Sequence, residues 1–203
     1  MNYFVYKREY EDLKKTFNPV KFDPDKWAQA AKDAGMRYVV FTTKHHDGFS
    51  MFDSKYTDYK VTDPECTFSD NPKANITKEI FDAFRANDMW VGAYFSKPDW
   101  HHENYWDPYF PPQDRNVNYD PSLYPEKWEK YVQFTHNQLL ELLTDYGKVD
   151  IIWLDGGWVK KGPTKSGGKL CGEVCREHLR QWIYKTQNGL TRHPYGRIGN
   201  QGP

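Results

Sequence analysis

Cysteine, net charge and long apolar runs are all scarce in this chain of 203 residues. Cys66, Cys171 and Cys175 are too few for a disulfide framework, and no second pair accompanies Cys171 and Cys175 at zinc-finger spacing. Basic and acidic residues both number 28, so no surplus charge indicates a nucleic acid or an anionic membrane surface as partner. No run of about 18 apolar residues predicts a membrane-spanning helix.

Several motifs are also absent. The sequence contains no glycine-rich phosphate loop and no nucleophile elbow of the G-x-S-x-G type, so neither nucleotide binding nor a serine hydrolase of that kind is supported. The first residues show no charged segment followed by an apolar one, so no signal peptide is predicted. We expect neither a cofactor nor a bound metal.

Aromatic residues, by contrast, are abundant. They make up 17% of the chain, with 8 tryptophans and 15 tyrosines. Large rings dominate many protein cores, but they also wall sugar pockets, because sugar C–H faces pack well on them. Composition alone leaves both interpretations open.

The pattern of apolar residues predicts three consecutive helix–strand units. The first helix begins at Asp23-Pro24, a capping residue and a proline suited to the first turn, and it is followed by a strand at 37–43. Its predicted buried face carries Trp27, Ala30, Ala31 and Ala34. The second helix buries Ile76, Ile80, Ala83 and Phe84, can end with Asn87 in the left-handed conformation, and precedes a strand at 89–95. The third begins near Pro125 and precedes a strand at 149–154. This alternation predicts an α/β fold with a parallel sheet.

Polar and aromatic clusters follow the end of each predicted strand. Because equivalent ends of parallel strands lie at one edge of a sheet, these clusters should gather there. They are His45-His46, Trp100-His101-His102 and Asp155 with Trp158.

Asp155 ends the apolar run 151–154 and is the first candidate for a catalytic group, although an aspartate before two glycines is also typical of a turn. His45 and His46 can hydrogen-bond a polyhydroxyl ligand, since each imidazole offers one donor and one acceptor. Either Tyr94 or Phe95 should face the site. Trp100 and Trp158 either wall a sugar pocket or pack as ordinary rings.

The sequence resembles the α-L-fucosidases of glycoside hydrolase family 29. The resemblance covers about residues 10 to 160 and rests most strongly on T-K-H-H-D-G-F at 43–49 and W-L-D-G-G at 153–157. Further matching segments are 17–19, 25–27, 32–38, 52–59, 94–96, 99–100 and 146–152.

The resemblance implies a (β/α)8 barrel and a retaining mechanism acting on fucosylated oligosaccharides or glycoconjugates. It makes Asp155 the nucleophile, and His45, His46 and Tyr94 the residues that bind the fucose. Trp100 and Trp158 are candidates for the pocket walls. Enzymes of this kind occur in periplasmic, secreted or lysosomal locations.

A complete barrel of this class needs more chain than is present. Three helix–strand units already occupy about 155 positions, whereas a barrel typically takes ~250 residues. We therefore expect residues 1–203 to form a single, incomplete barrel domain, with 163–203 not matched to the family. The acid/base is expected outside the chain, which predicts weak or no turnover.

Two other functions stay open on the sequence. A sugar-binding protein without catalysis would need His45, His46 and the tryptophans but not Asp155. A metal hydrolase could use His45 and His46 together with His101 and His102, although three or four convergent ligands are the usual requirement.

Overall fold

A computed structural model describes residues 3–112 and 114–156. In chain order its elements are α1 (Tyr3–Glu11), α2 (Pro24–Asp33), β1 (Tyr38–Lys44), α3 (Ile76–Ala86), β2 (Trp90–Ser96), α4 (Pro125–Thr144) and β3 (Ile151–Asp155), with 3-10 helices at Asp12–Thr16 and Thr67–Asp70. The three predicted helix–strand units are confirmed, and the strand bounds differ from the predicted ones by one or two residues.

The three strands form one parallel sheet in the order β1-β2-β3. The α/β class and the parallel sheet are therefore confirmed. Within residues 3–112 and 114–156 the sheet is open, with β2 in its centre and β1 and β3 at its edges. Ser96 pairs with Asp155, and Tyr94 pairs with both Thr42 and Trp153, so the ends of the strands are aligned.

The main core lies between this sheet and the helices. Val91, Ala93 and Phe95 of β2 are fully buried, as expected for a central strand covered by helices. They belong to the same apolar cluster as Ile80 of α3 and Leu139 of α4. A second, aromatic cluster lies beside the loop after β2 and consists of Tyr105, Trp128, Tyr131 and Phe134.

Helix α2 starts where the sequence predicts but buries a different face. Asp23 accepts a hydrogen bond from the Lys26 amide at 3.2 Å, as a capping residue should. The prediction that Trp27 is buried is wrong, since that side chain is 50% exposed and packs edge-on against Phe22. Of the predicted face, Ala31 is buried, and it faces α3 together with Ala28, because small side chains allow the two helices to approach closely.

Candidate active site

The site lies at the carboxyl edge of the sheet, where β1, β2 and β3 all end. His45 and His46 follow β1, Tyr94 lies near the end of β2, and Asp155 is the last residue of β3. The structure therefore brings together residues that are up to 110 positions apart, as the parallel topology predicts.

Asp155 is held as a carboxylate. The Tyr94 hydroxyl donates to its Oδ2 at 2.6 Å, and the Gly156 amide donates to its Oδ1 at 2.6 Å. These two donors, with smaller contributions from His46 and His45, hold the pKa of Asp155 below its ordinary value. Burial and the bond to Asp155 raise the pKa of Tyr94, so the phenol keeps its proton as a donor. The Asp155 side chain is 35% exposed and accessible to a ligand.

His46 is oriented by a residue that sequence reasoning missed. Its Nδ1 lies 2.5 Å from the Ser96 Oγ, and Ser96 itself donates to the Pro98 carbonyl at 2.7 Å. Since the serine proton is used there, Ser96 accepts from the Nδ1–H of His46. Nε2 then faces Asp155 Oδ2 at 3.7 Å. Burial, followed by the neighbouring His45 ring, lowers the pKa of His46, which favours a neutral ring with Nε2 as an acceptor.

His45 is the exposed member of the pair. Its ring lies 4.3 Å from the His46 ring and stacks on Tyr94 with centroids 5.7 Å apart. Of the two alternatives in β2, Tyr94 faces the site and Phe95 is buried in the core. The bond from Tyr94 to Asp155 and the stack with His45 make Tyr94 the centre of this cluster.

The two predicted tryptophans have different outcomes. Trp100 lies beside the site, with its ring 5.4 Å from that of His46. Trp158 lies outside the described residues. Trp153, which sequence reasoning did not single out, pairs with Tyr94, is 59% exposed and shares the sheet face of Asp155 by strand alternation. Its position two residues before Asp155 was the signal that could have identified it.

A buried ion pair supports the loops that carry these groups. The Lys44 ammonium contacts Asp99 Oδ2 at 3.0 Å and Gln138 Oε1 at 2.9 Å, and both charged side chains are almost fully buried. Asp99 Oδ1 accepts from the backbone amides of His101 and His102. Burial opposes the charge of Asp99, but the Lys44 ammonium outweighs it and holds the pKa of Asp99 below its usual value.

The structure does not bring together the four histidines of the metal-hydrolase alternative. His101 contacts Glu11 at 2.7 Å and stacks on Tyr59, while His102 packs against Phe134. Within the described part of the chain, the group whose ligand atoms lie close enough together to hold a metal ion is His45, His46 and Asp155, within 4.8 Å of one another. That set presents three ligand atoms at most, and both oxygens of its carboxylate already accept hydrogen bonds.

A family model described as α-L-fucosidase matches residues 1–194. The chain belongs to the α-L-fucosidase family. The match extends beyond the segment ending near residue 160 on which the resemblance in sequence rests. The sequence-based identification of the family is therefore confirmed.

Curated members of the α-L-fucosidase family align with about three quarters of the chain. A putative α-L-fucosidase of Caenorhabditis elegans is 32% identical over 151 residues, which are 74% of this chain and 27% of that protein. The plasma α-L-fucosidase of Homo sapiens is 30% identical over 73% of this chain and 28% of its own length. This α-L-fucosidase family chain thus matches little more than a quarter of these relatives.

Solved α-L-fucosidases share the fold. The family 29 enzyme of Bacteroides thetaiotaomicron superposes with a TM-score of 0.69 at 32% identity, covering 86% of this chain and 35% of that one. Isoenzyme 1 of Paenibacillus thiaminolyticus gives 0.67 at 37% identity, covering 86% and 39%. In this chain, over residues 3–112 and 114–156, no helix has both the length and the apolar character needed to cross a membrane.

Proposed function

We propose that the protein is a retaining α-L-fucosidase that hydrolyses terminal α-L-fucosyl linkages of glycoconjugates. The observation that carries the proposal is the ionised carboxylate of Asp155 at the end of β3, fixed by Tyr94 and Gly156 beside His46. A retaining glycosidase needs such a carboxylate as nucleophile. A Bacteroides thetaiotaomicron relative was trapped as a covalent intermediate with 2-fluoro-fucosyl fluoride, and a Lactobacillus casei relative was solved with fucose as product.

In the proposed first step an Asp155 oxygen attacks the anomeric carbon of the fucose. The bond to the leaving oxygen breaks, that oxygen takes a proton from a general acid, and a fucosyl ester of Asp155 forms. In the second step water attacks the same carbon, loses its proton to the group that served as acid, and releases Asp155. By the family resemblance, the acid/base follows Asp155 in sequence, outside the described residues.

His46 and His45 are proposed to bind the fucose hydroxyls. With Nδ1–H donated to Ser96, the Nε2 of His46 accepts from a sugar hydroxyl rather than donating to one. A hydrogen bond that shortens as charge develops on the sugar lowers the barrier more than one that is equal in both states. Trp100, and Trp158 by sequence, are proposed as walls of this fucose site.

The sheet is proposed to be part of a (β/α)8 barrel. Its three parallel strands, the catalytic groups at their carboxyl ends and the similarity to family 29 structures all agree with that architecture. We further propose that residues 1–203 act within a single domain. We also propose a periplasmic, secreted or lysosomal location, as the family resemblance implies, and relatives named plasma and tissue α-L-fucosidases support it.

Hydrolysis of an activated aryl fucoside tests the function, because a good leaving group needs little help from a general acid. We expect measurable release of the phenol, reduced about 10³-fold or more by Asp155→Asn. Asp25→Asn, an exposed carboxylate on α2, serves as the matched control and should leave the rate unchanged. Equal rates in Asp155→Asn and Asp25→Asn would refute the assignment of Asp155 as the nucleophile. Fucose binding without any hydrolysis would favour the sugar-binding alternative.

A further inference from the structure

Helix α1 is held against the site although it buries none of its residues. The Tyr10 hydroxyl donates to Asp47 Oδ2 at 3.1 Å, and Glu11 bonds the His101 ring at 2.7 Å. Tyr3 packs edge-on against Trp106 with centroids 6.0 Å apart. These contacts attach α1 to the loops after β1 and β2, so its position is linked to the site rather than to the core.

Between α1 and these loops lies a cavity of about 250 Å³, which we name the α1 cavity. Two stacked tryptophans form one wall: the rings of Trp100 and Trp106 lie 5.0 Å apart and within 11° of parallel. Each indole N–H is already bonded to a backbone carbonyl, of Arg115 and Asn116 respectively. The inner faces of the two rings cover each other, and an outer face of the pair is suited to pack against the C–H face of a sugar.

Polar groups line the rest of the α1 cavity. Lys7, Glu11 and Asp47 lie beside Tyr6 and Tyr10. A carboxylate has about four acceptor positions, and Glu11 and Asp47 can therefore accept from sugar hydroxyls beside their present partners. An aromatic wall with acceptors around it matches a neutral pyranose better than a purely apolar ligand.

The cavity is continuous with the proposed fucose site. Trp100 lines the cavity and also lies 5.4 Å from the His46 ring, and Asp47 is the residue next to His46. His46 in turn lies 3.7 Å from Asp155. A sugar in the cavity would thus lie next to a fucose bound at His46, as the next sugar of the same oligosaccharide.

We propose that the α1 cavity binds the sugar to which the fucose is attached, a neutral pyranose that becomes the leaving group. The proposal rests on the proposed fucosidase function and adds a specificity site formed by α1, Trp100 and Trp106. The volume suits one ring, so the gain in affinity should come from the first sugar after the fucose.

Calorimetry with two probes tests the proposal on the full chain carrying Asp155→Asn, so that no probe is consumed. L-Fucose reports the fucose site alone, and an α-fucosyl-(1,6)-N-acetylglucosamine disaccharide reports both sites. We expect the disaccharide to bind about tenfold more tightly than fucose. Trp106→Leu and Tyr6→Ala should remove most of that gain and leave fucose affinity unchanged. Tyr6 is 53% exposed, so its replacement keeps the fold even if Trp106→Leu does not.

Tyr109→Ala is the matched control, because Tyr109 is 90% exposed and is not among the residues that line the cavity. Equal affinities for the two probes, or equal losses in Tyr6→Ala and Tyr109→Ala, would overturn the α1 subsite and leave the fucosidase function intact. Failure of fucose itself to bind would instead overturn the proposed function and the leaving-group role with it.

Discussion

The charge of Asp155 depends on two hydrogen bonds that hold one carboxylate oxygen each. Tyr94 makes the stronger contribution to the low pKa, and the Gly156 amide makes the next. A nucleophile kept ionised in this way remains active when the surroundings become acidic. The tyrosine therefore sets the lower end of the pH range in which the proposed enzyme works.

Tyr94→Phe should move the acid limb of the pH profile to higher pH. Removing the donor raises the pKa of Asp155 toward its ordinary value, so the carboxylate becomes protonated at a higher pH than before. The fall in kcat/KM should therefore be largest on the acid limb, where the variant has a smaller ionised fraction of Asp155 than the unchanged chain. The measurement is kcat/KM for an aryl fucoside against pH.

Tyr38→Phe is the control for this experiment, because Tyr38 is an exposed tyrosine at the opposite end of the sheet. Its acid limb should match that of the unchanged chain. An unmoved acid limb in Tyr94→Phe would show that the hydrogen bond does not control the ionisation of the catalytic carboxylate.

Sequence reasoning identified the residues on strand ends better than those in loops. His45 and His46 follow β1 directly, Asp155 is the last residue of β3, and the parallel sheet fixes where they lie. His101 and His102 show the same vicinal pattern, but Asp99 accepts hydrogen bonds from their backbone amides and turns the loop, and His101 pairs with Glu11, 90 positions away. No local pattern reports a contact over that distance.

At the level of elements, the loops after β1 and β2 meet at Gly48. The Trp100 amide donates to the His46 carbonyl at 2.8 Å, which joins the two loops. Gly48 has a φ of +89°, and a Cβ there would lie 2.3 Å from Asp99 Oδ1. Only glycine fits this contact, so the His45-His46 segment is positioned by the same carboxylate that pairs with Lys44.

Gly48→Ala should destabilise the fold by about 3 kcal/mol or more. The left-handed backbone costs ~1–2 kcal/mol with a Cβ, and displacing Asp99 from the buried Lys44 adds to it. Gly35→Ala is the matched control: its φ is +75°, but no atom lies within 4 Å of the added carbon. That variant should lose only about 1 kcal/mol. Urea unfolding of both variants gives the comparison, and equal losses would contradict the packing argument.

The buried face of a helix was predictable where large apolar side chains mark it, and not where small side chains allow the helix to rotate about its axis. Helix α3 buries Ile76, Ile80 and Phe84 as its spacing predicts, because large apolar side chains on one face allow only that face to be buried. In α2 the single Trp27 lies among alanines. The helix buries Ala28 instead, so it is rotated about its axis by about one residue relative to the predicted orientation. Similarly, Asp88 rather than Asn87 takes the left-handed conformation after α3.

At the scale of the whole molecule, one edge of a parallel sheet collects the nucleophile, the sugar-binding histidines and the tryptophan wall of the proposed site. The chain covers 35% and 39% of the two solved α-L-fucosidases described above. Closure of a barrel depends on strands beyond β1–β3, so three helix–strand patterns could predict the edge but not the closed ring.

Covalent labelling gives the sharpest test of Asp155 as the nucleophile. The full chain is incubated with 2-fluoro-fucosyl fluoride, whose fluoride leaves without a general acid, and the peptides are then analysed by mass spectrometry. If Asp155 is the nucleophile, one fluorofucosyl group should be added to the peptide that contains Asp155, and this label should be absent in Asp155→Asn. A label on another residue, a label that survives the substitution, or no label on the folded protein would contradict that assignment.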